Sequence, residues 1–216
     1  MAVKTKNIAT ICDTYQYMNN ITTLVKLSDV QNGFYEQTYK IVSIGITTMV
    51  ALGQVMSPRN AAAFATGNYD KVKNNIYKVA DFIWCIGIPI VLGIVSITPL
   101  FVPMFFGEGF DGVIPLLMTF SLLILLCSLT NLLGNQYLVA IKKDKPFTIF
   151  VSIGCVVNVV LSFILIPFIY AFGAVIATLV SELLILILEF IFIKSFIAIS
   201  SMYKRLNFFG SLLQNF

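Results

Sequence analysis

Histidine is absent, tryptophan occurs once, and the 10 acidic and 14 basic residues together make up only 11% of the 216 positions. The lack of histidine removes imidazole general-base chemistry and the commonest metal ligand. An average soluble domain carries about 25% charged residues, so this charge content does not suit one. The four cysteines, Cys12, Cys85, Cys127 and Cys155, show no paired spacing. That excludes a zinc or dithiol motif, and the last three, set in apolar runs, read as reduced core residues. No nucleophile–base pair and no phosphate-cradling loop can be found. A membrane enzyme such as a glycosyltransferase would want a sizeable polar loop, whereas the segment 107–112 offers only Glu108 and Asp111 among glycines. Neither an enzyme nor a bound cofactor or metal is expected. The net charge of +4 sits in short stretches between apolar runs rather than on one face, so nucleic acid is not an expected partner.

What the sequence has in abundance is apolar length. Apolar residues make up 58% of the chain and mean hydropathy is +0.92, the composition of an integral membrane protein. A span needs about 20 apolar residues. The central run, 147–182, has no charge between Lys145 and Glu182. It is too long for one span, and Pro167 with Gly173 predicts a break within it. The fold class is therefore all-α, with about five transmembrane helices over 39–56, 81–106, 113–139, 147–169 and 173–194. Ser57, Pro58 and Arg59 should end the first span, because proline disfavours helix in the residue before it. Pro89, Pro99 and Pro103 lie in the second and read as packing kinks or a hinge. Between these two spans, Val72, Ile76, Val79 and Ala80 recur at helical spacing beside Lys71, Lys73 and Lys78. This predicts a short amphipathic helix at the bilayer surface. Residues 1–38 form a separate N-terminal segment, too polar for an ordinary span, and 39–216 form the transmembrane domain.

Charge placement orients the chain. With the C-terminus in the cytoplasm, ten of the fourteen basic residues fall on inside segments, and the outer loops at 107–112 and Tyr170 carry none. This follows the positive-inside rule and places a multi-pass protein in the cell membrane.

Polar residues inside the spans are the candidate functional groups. A carboxylate at the bilayer centre costs roughly 2.5–3.5 kcal/mol on insertion scales, so Glu182 should face protein or water. Glu189, seven residues on, is expected to pair near the interface with Lys194. Asn158 and Ser162 share a helix face, where interhelical hydrogen bonding and cavity lining are both open. Asn131, Asn135 and Gln136 cluster at one end of the third span. The candidate substrate pathway is Asn131, Asn135, Gln136, Asn158 and Glu182.

Several segments carry a family resemblance: Gly33-Phe34-Tyr35-Glu36, then Pro58-Arg59; Gly107 with Phe110; Asn131 with Gly134 and Gln136; Asn158, Leu165-Ile166-Pro167, the Gly173 to Thr178 run and Glu182. Their order and spacing, over about residues 15–193, resemble the C-terminal part of polysaccharide flippases. These are the oligosaccharide-unit exporters of the superfamily that also holds lipid II flippases and multidrug exporters. The resemblance implies two helical lobes around a central cavity that work by alternating access. It implies lipid-linked oligosaccharide and membrane lipids as partners. Only the C-terminal lobe is represented, so a truncated or half carrier is expected, completed by a missing N-terminal lobe or a homodimer. The sequence departs from the family at Asn19 and Asn20, at Ser162 where a second Asn is usual, and at Phe168-Ile169-Tyr170 where a polar residue and a glycine are expected. The competing readings are a drug or lipid II exporter and a membrane fragment that does not transport.

Overall fold

The computed structural model describes residues 29–107 and 109–194. The segment 1–28, with Cys12 and the departures at Asn19 and Asn20, lies outside them. Every regular element is helical. Helix α1 spans Asp29–Ala65 and α2 spans Tyr69–Phe106. Two short helices follow, α3 at Val113–Phe120 and α4 at Leu122–Asn131. A π-helix over Leu132–Leu138 continues α4, and α5 covers Asp144–Ile193. Four of these stretches are long and apolar enough to cross a membrane, and the chain is an all-α, multi-pass membrane protein.

At a rise of 1.5 Å per residue, the 50 residues of α5 would extend about 75 Å, far more than a hydrocarbon core of about 30 Å. The helix does not run straight. Ile169 (φ −130°, ψ 19°) and Tyr170 (φ 50°, ψ −133°) leave helical geometry shortly after Pro167. Beyond them the chain doubles back. Gly173 lies against the backbone of Leu165 and Ile166, Asn158 reaches Ser181, and Gly154 packs on Ile185. Each pair is centred near 169–170, so α5 is a hairpin of two antiparallel arms, 144–168 and 171–193.

Helix α1 is central and touches every other element. Its Tyr35 packs on Phe120 of α3, ring centroids 5.6 Å apart, and both side chains are buried. Phe110, in the loop before α3, bridges Phe34 of α1 and Phe106 at the end of α2. The outward faces of α2 and α5 expose Leu100, Met104 and Phe168 at 78–84%, as lipid-facing side chains require.

Three sequence expectations need correcting here. Pro58 does not end the first span, because α1 continues through it to Ala65. The separate surface helix does not form. Gly67 takes a left-handed φ of 74°, Asn68 accepts from the Lys71 amide at 3.1 Å, and α2 begins there. A glycine stop followed by an asparagine cap is a strong boundary. The stripe Val72, Ile76, Val79 and Ala80 is real, but it is at most 6% exposed and belongs to the protein core rather than the bilayer surface. Finally, Cys85 is exposed and only Cys127 and Cys155 are partly buried; none of the three is in a disulfide.

Candidate functional site

The π-helix shapes one end of the molecule. Wider turns replace the usual i→i−4 bonds, and the Val139 amide donates to Gly134 at 3.0 Å. Single-turn π segments often mark functional sites. Two of the carbonyls in this stretch are taken by α1: Ser57 Oγ donates to Asn135 O (3.4 Å) and Asn60 Nδ2 donates to Gln136 O (3.2 Å). Asn60 in turn accepts from Asn75 of α2 at 2.9 Å. The chain leaves the π-helix through Lys142, at φ 61°.

A cavity of about 450 Å³ opens between α1, α4, the π-helix and α5. Its volume falls in the range of ordinary ligand sites. The wall from α4 and the π-helix contributes Thr130, Asn131 and Asn135, and α5 contributes Thr178 and Glu182. Helix α1 contributes Tyr39, Thr47 and Gln54. Apolar side chains from the same helices, Phe147 and Ile185 among them, complete the wall. Thr130 and the Glu182 carboxylate share this wall; Glu182 is 8% exposed, and the Thr130 hydroxyl donates to Leu126 O at 3.0 Å. No Lys or Arg lines this cavity among the described residues.

Of the five residues expected on a substrate pathway, Asn131, Asn135 and Glu182 meet at this cavity. Asn158 does not line it. It is 2% exposed inside the α5 hairpin, and its Nδ2 donates to Thr178 Oγ1 (3.4 Å) and Ser181 Oγ (3.2 Å). Gln136 is likewise buried, wedged against α1 so closely that a Cβ at Gly53 would collide with its amide. Ser162 is fully buried and its Oγ has no hydrogen-bond partner among the described residues.

Glu189 departs from expectation. It makes no pair with Lys194. Five residues advance a helix by about 140° beyond a full turn, so the two side chains leave on different faces. Lys194 is exposed, whereas Glu189 is 0% exposed, lies against Gly134 and finds no partner for either carboxylate oxygen among the described residues.

Sequence reasoning missed the α1 wall. Tyr39, Thr47 and Gln54 lie at i, i+8 and i+15, close to one face of a 3.6-residue helix. A polar stripe within an apolar span was the available signal. Thr178 was quoted only as part of an apolar segment, yet it touches the cavity and also joins α5 to α1, since Tyr35 hydrogen-bonds it.

The family model described as "Polysaccharide biosynthesis protein" matches residues 8–115, which is 108 of 216 residues, half of the chain. The chain is similar to the lipopolysaccharide biosynthesis protein WzxC of Escherichia coli K12, 26% identical over 134 residues, covering 61% of this chain and 27% of that protein. It is also similar to the lipid II flippase MurJ of Bacillus subtilis 168, 29% identical over 160 residues, covering 72% of this chain and 29% of MurJ. The matched stretch is thus less than a third of the length of either relative. No solved structure gives a significant match. With half its length in the family model and a wholly helical membrane fold, the chain belongs to the polysaccharide biosynthesis protein family of flippase-type membrane proteins.

Proposed function

We propose that residues 39–216 form one lobe of a carrier that moves lipid-linked oligosaccharide units across the cell membrane in polysaccharide biosynthesis. The cavity is the observation that carries this reading. Its polar wall consists of hydroxyls and neutral amides with one carboxylate, Glu182. Amides and hydroxyls both donate and accept, which is what recognition of a polyol needs. The functional residues on this reading are Asn131, Asn135 and Glu182 at the cavity, with Asn158 and Gln136 holding the helices that carry them. On this reading a second lobe, either a separate chain or a second copy, completes the cavity. Arg59, the lysines at 71, 73 and 78 and those at 142, 143 and 145 flank the ends joined by the Asn60–Gln136 bond. On the positive-inside rule that end is cytoplasmic, and so is the C-terminus.

The test is a vesicle assay. The full chain is reconstituted with a fluorescent lipid-linked oligosaccharide, and a membrane-impermeant quencher reports which leaflet holds the label. Movement faster than in protein-free vesicles is expected, with the chain alone as a dimer or after adding an N-terminal lobe. No movement in either preparation overturns the proposal. The similarity to MurJ favours lipid II as a second reading. Faster movement of lipid II than of the oligosaccharide lipid in the same assay selects it.

A further inference from the structure

The outward face of α2 is basic at one end and apolar beyond it. From this pattern we infer that α2 seats an anionic phospholipid, its phosphate headgroup on Lys71 and Lys78 and its acyl chains along Cys85, Pro89 and Leu92.

Lys71, Lys78, Cys85 and Leu92 follow one another at intervals of seven, and all four are exposed. Seven residues fall only about 20° short of two full turns, so the four form one nearly straight stripe. Asn74 and Pro89 are exposed on the same stripe. The opposite face, Val72, Ile76 and Val79, is buried in the protein core and fixes which way the stripe points. The two lysines stand about 10 Å apart along the axis, so their long side chains can close on one headgroup from both sides. Asn74 lies between them and adds an amide donor for the phosphate. From Lys78 to Pro89 the helix rises about 16 Å, one leaflet's share of a hydrocarbon core of about 30 Å. Lys73 leaves the other side of the helix, where its Nζ lies 5.9 Å from the centre of the Tyr77 ring, and it is not part of the stripe. Asp81 flanks the stripe and Asp70 precedes it, but Arg59, Lys142, Lys143 and Lys145 at the same end keep the surroundings positive. Basic side chains at the headgroup level attract anionic lipid, by about tenfold for such a pair. A zwitterionic lipid meets the same apolar stripe without the net attraction.

The chain carries one tryptophan, Trp84, next to Cys85 on α2. Its quenching by brominated acyl chains therefore reports lipid at this helix. The full chain is reconstituted in phosphatidylcholine bilayers that contain equal fractions of brominated phosphatidylglycerol or brominated phosphatidylcholine. The wild type is expected to prefer phosphatidylglycerol by about tenfold, and less at high salt. Lys71→Gln with Lys78→Gln should bring the two lipids within about threefold, whereas Lys71→Arg with Lys78→Arg should keep the preference. Both positions are exposed, so these substitutions leave the core intact. Lys142→Gln with Lys145→Gln should stay within about twofold of the wild type, because screening weakens charges more than about 10 Å away. Excess glycerol phosphate, a soluble headgroup without acyl chains, should not remove the preference. Equal quenching by both lipids in the wild type overturns the inference. So does an unchanged preference in the Lys71/Lys78 glutamine variant. An equal loss in the Lys142/Lys145 variant would show diffuse charge rather than a seat on α2. Displacement by glycerol phosphate would show a site for phosphate rather than for lipid. Either result also overturns it.

Discussion

At the residue scale, two buried polar side chains play opposite parts. Asn158 spends its amide on the two hydroxyls of the opposite arm, and those hydroxyls also bond their own helix, Thr178 to Ala174 O and Ser181 to Thr178 O, both 2.9 Å. Removing the amide therefore orphans neither partner. Interhelical hydrogen bonds in membranes average about 0.6 kcal/mol and reach about 1.7, so Asn158→Leu should lower stability by roughly 1 kcal/mol in a denaturant titration. Glu189 is the reverse case. Its carboxyl group is fully buried with both oxygens unpartnered among the described residues. Leaving a buried polar group without a hydrogen-bond partner costs about 1–3 kcal/mol. Glu189→Leu should accordingly raise resistance to unfolding. A drop in stability in the same titration would show that Glu189 has a partner outside the described residues.

At the element scale, the α5 hairpin depends on two positions that a linear reading treats lightly. Tyr170 takes a backbone conformation that favours glycine, and its side chain is 60% exposed, so it gains little there from burial. Such strain costs about 1–3 kcal/mol, whereas glycine adds an entropic penalty of about 0.5–1 kcal/mol. Tyr170→Gly should be stabilising by about 1 kcal/mol, seen as a higher melting temperature in detergent. Gly173 has the opposite requirement. A Cβ there would lie 2.7 Å from the Leu165 carbonyl carbon and 2.9 Å from the Ile166 nitrogen, both of them backbone atoms that cannot rotate away. Gly173→Leu should splay the arms, and spin labels at Ser152 and Leu183 should move further apart than in the wild type.

On the scale of the whole molecule, successive spans alternate in direction, α3, α4 and the π-helix together making one of them. The α1–α2 turn and the loop after the π-helix therefore share one end, and the segment 107–112 shares the other with the hairpin turn. The first end is basic and the second carries no Lys or Arg. In a cysteine-free background, a cysteine at Asp111 should react with an impermeant maleimide added to intact cells, while one at Lys143 should react only after lysis. Labelling in the reverse pattern would invert the proposed orientation and place the cavity's opening relative to the membrane the other way up.

Much of this was legible from apolar run length and charge spacing alone. A membrane has no water to satisfy a free backbone, so a long uncharged run must be helix. An uncharged run too long for one span must also turn, and Pro167 with Gly173 marks where. That is why the hairpin could be read from residues 147–182. The contacts of individual polar groups could not be read this way. Asn131, Asn135 and Gln136 look alike in sequence, yet Asn135 faces the cavity and Gln136 the seam with α1, because successive side chains on a helix leave on different faces. Val72 and Ile76 carry the pattern of a surface helix, but both are buried in the protein core. Glu189 and Lys194 are close in sequence and face different ways. Periodicity states which residues share a face of a helix. What that face meets depends on residues far away in the chain, and only the packed helices decide it.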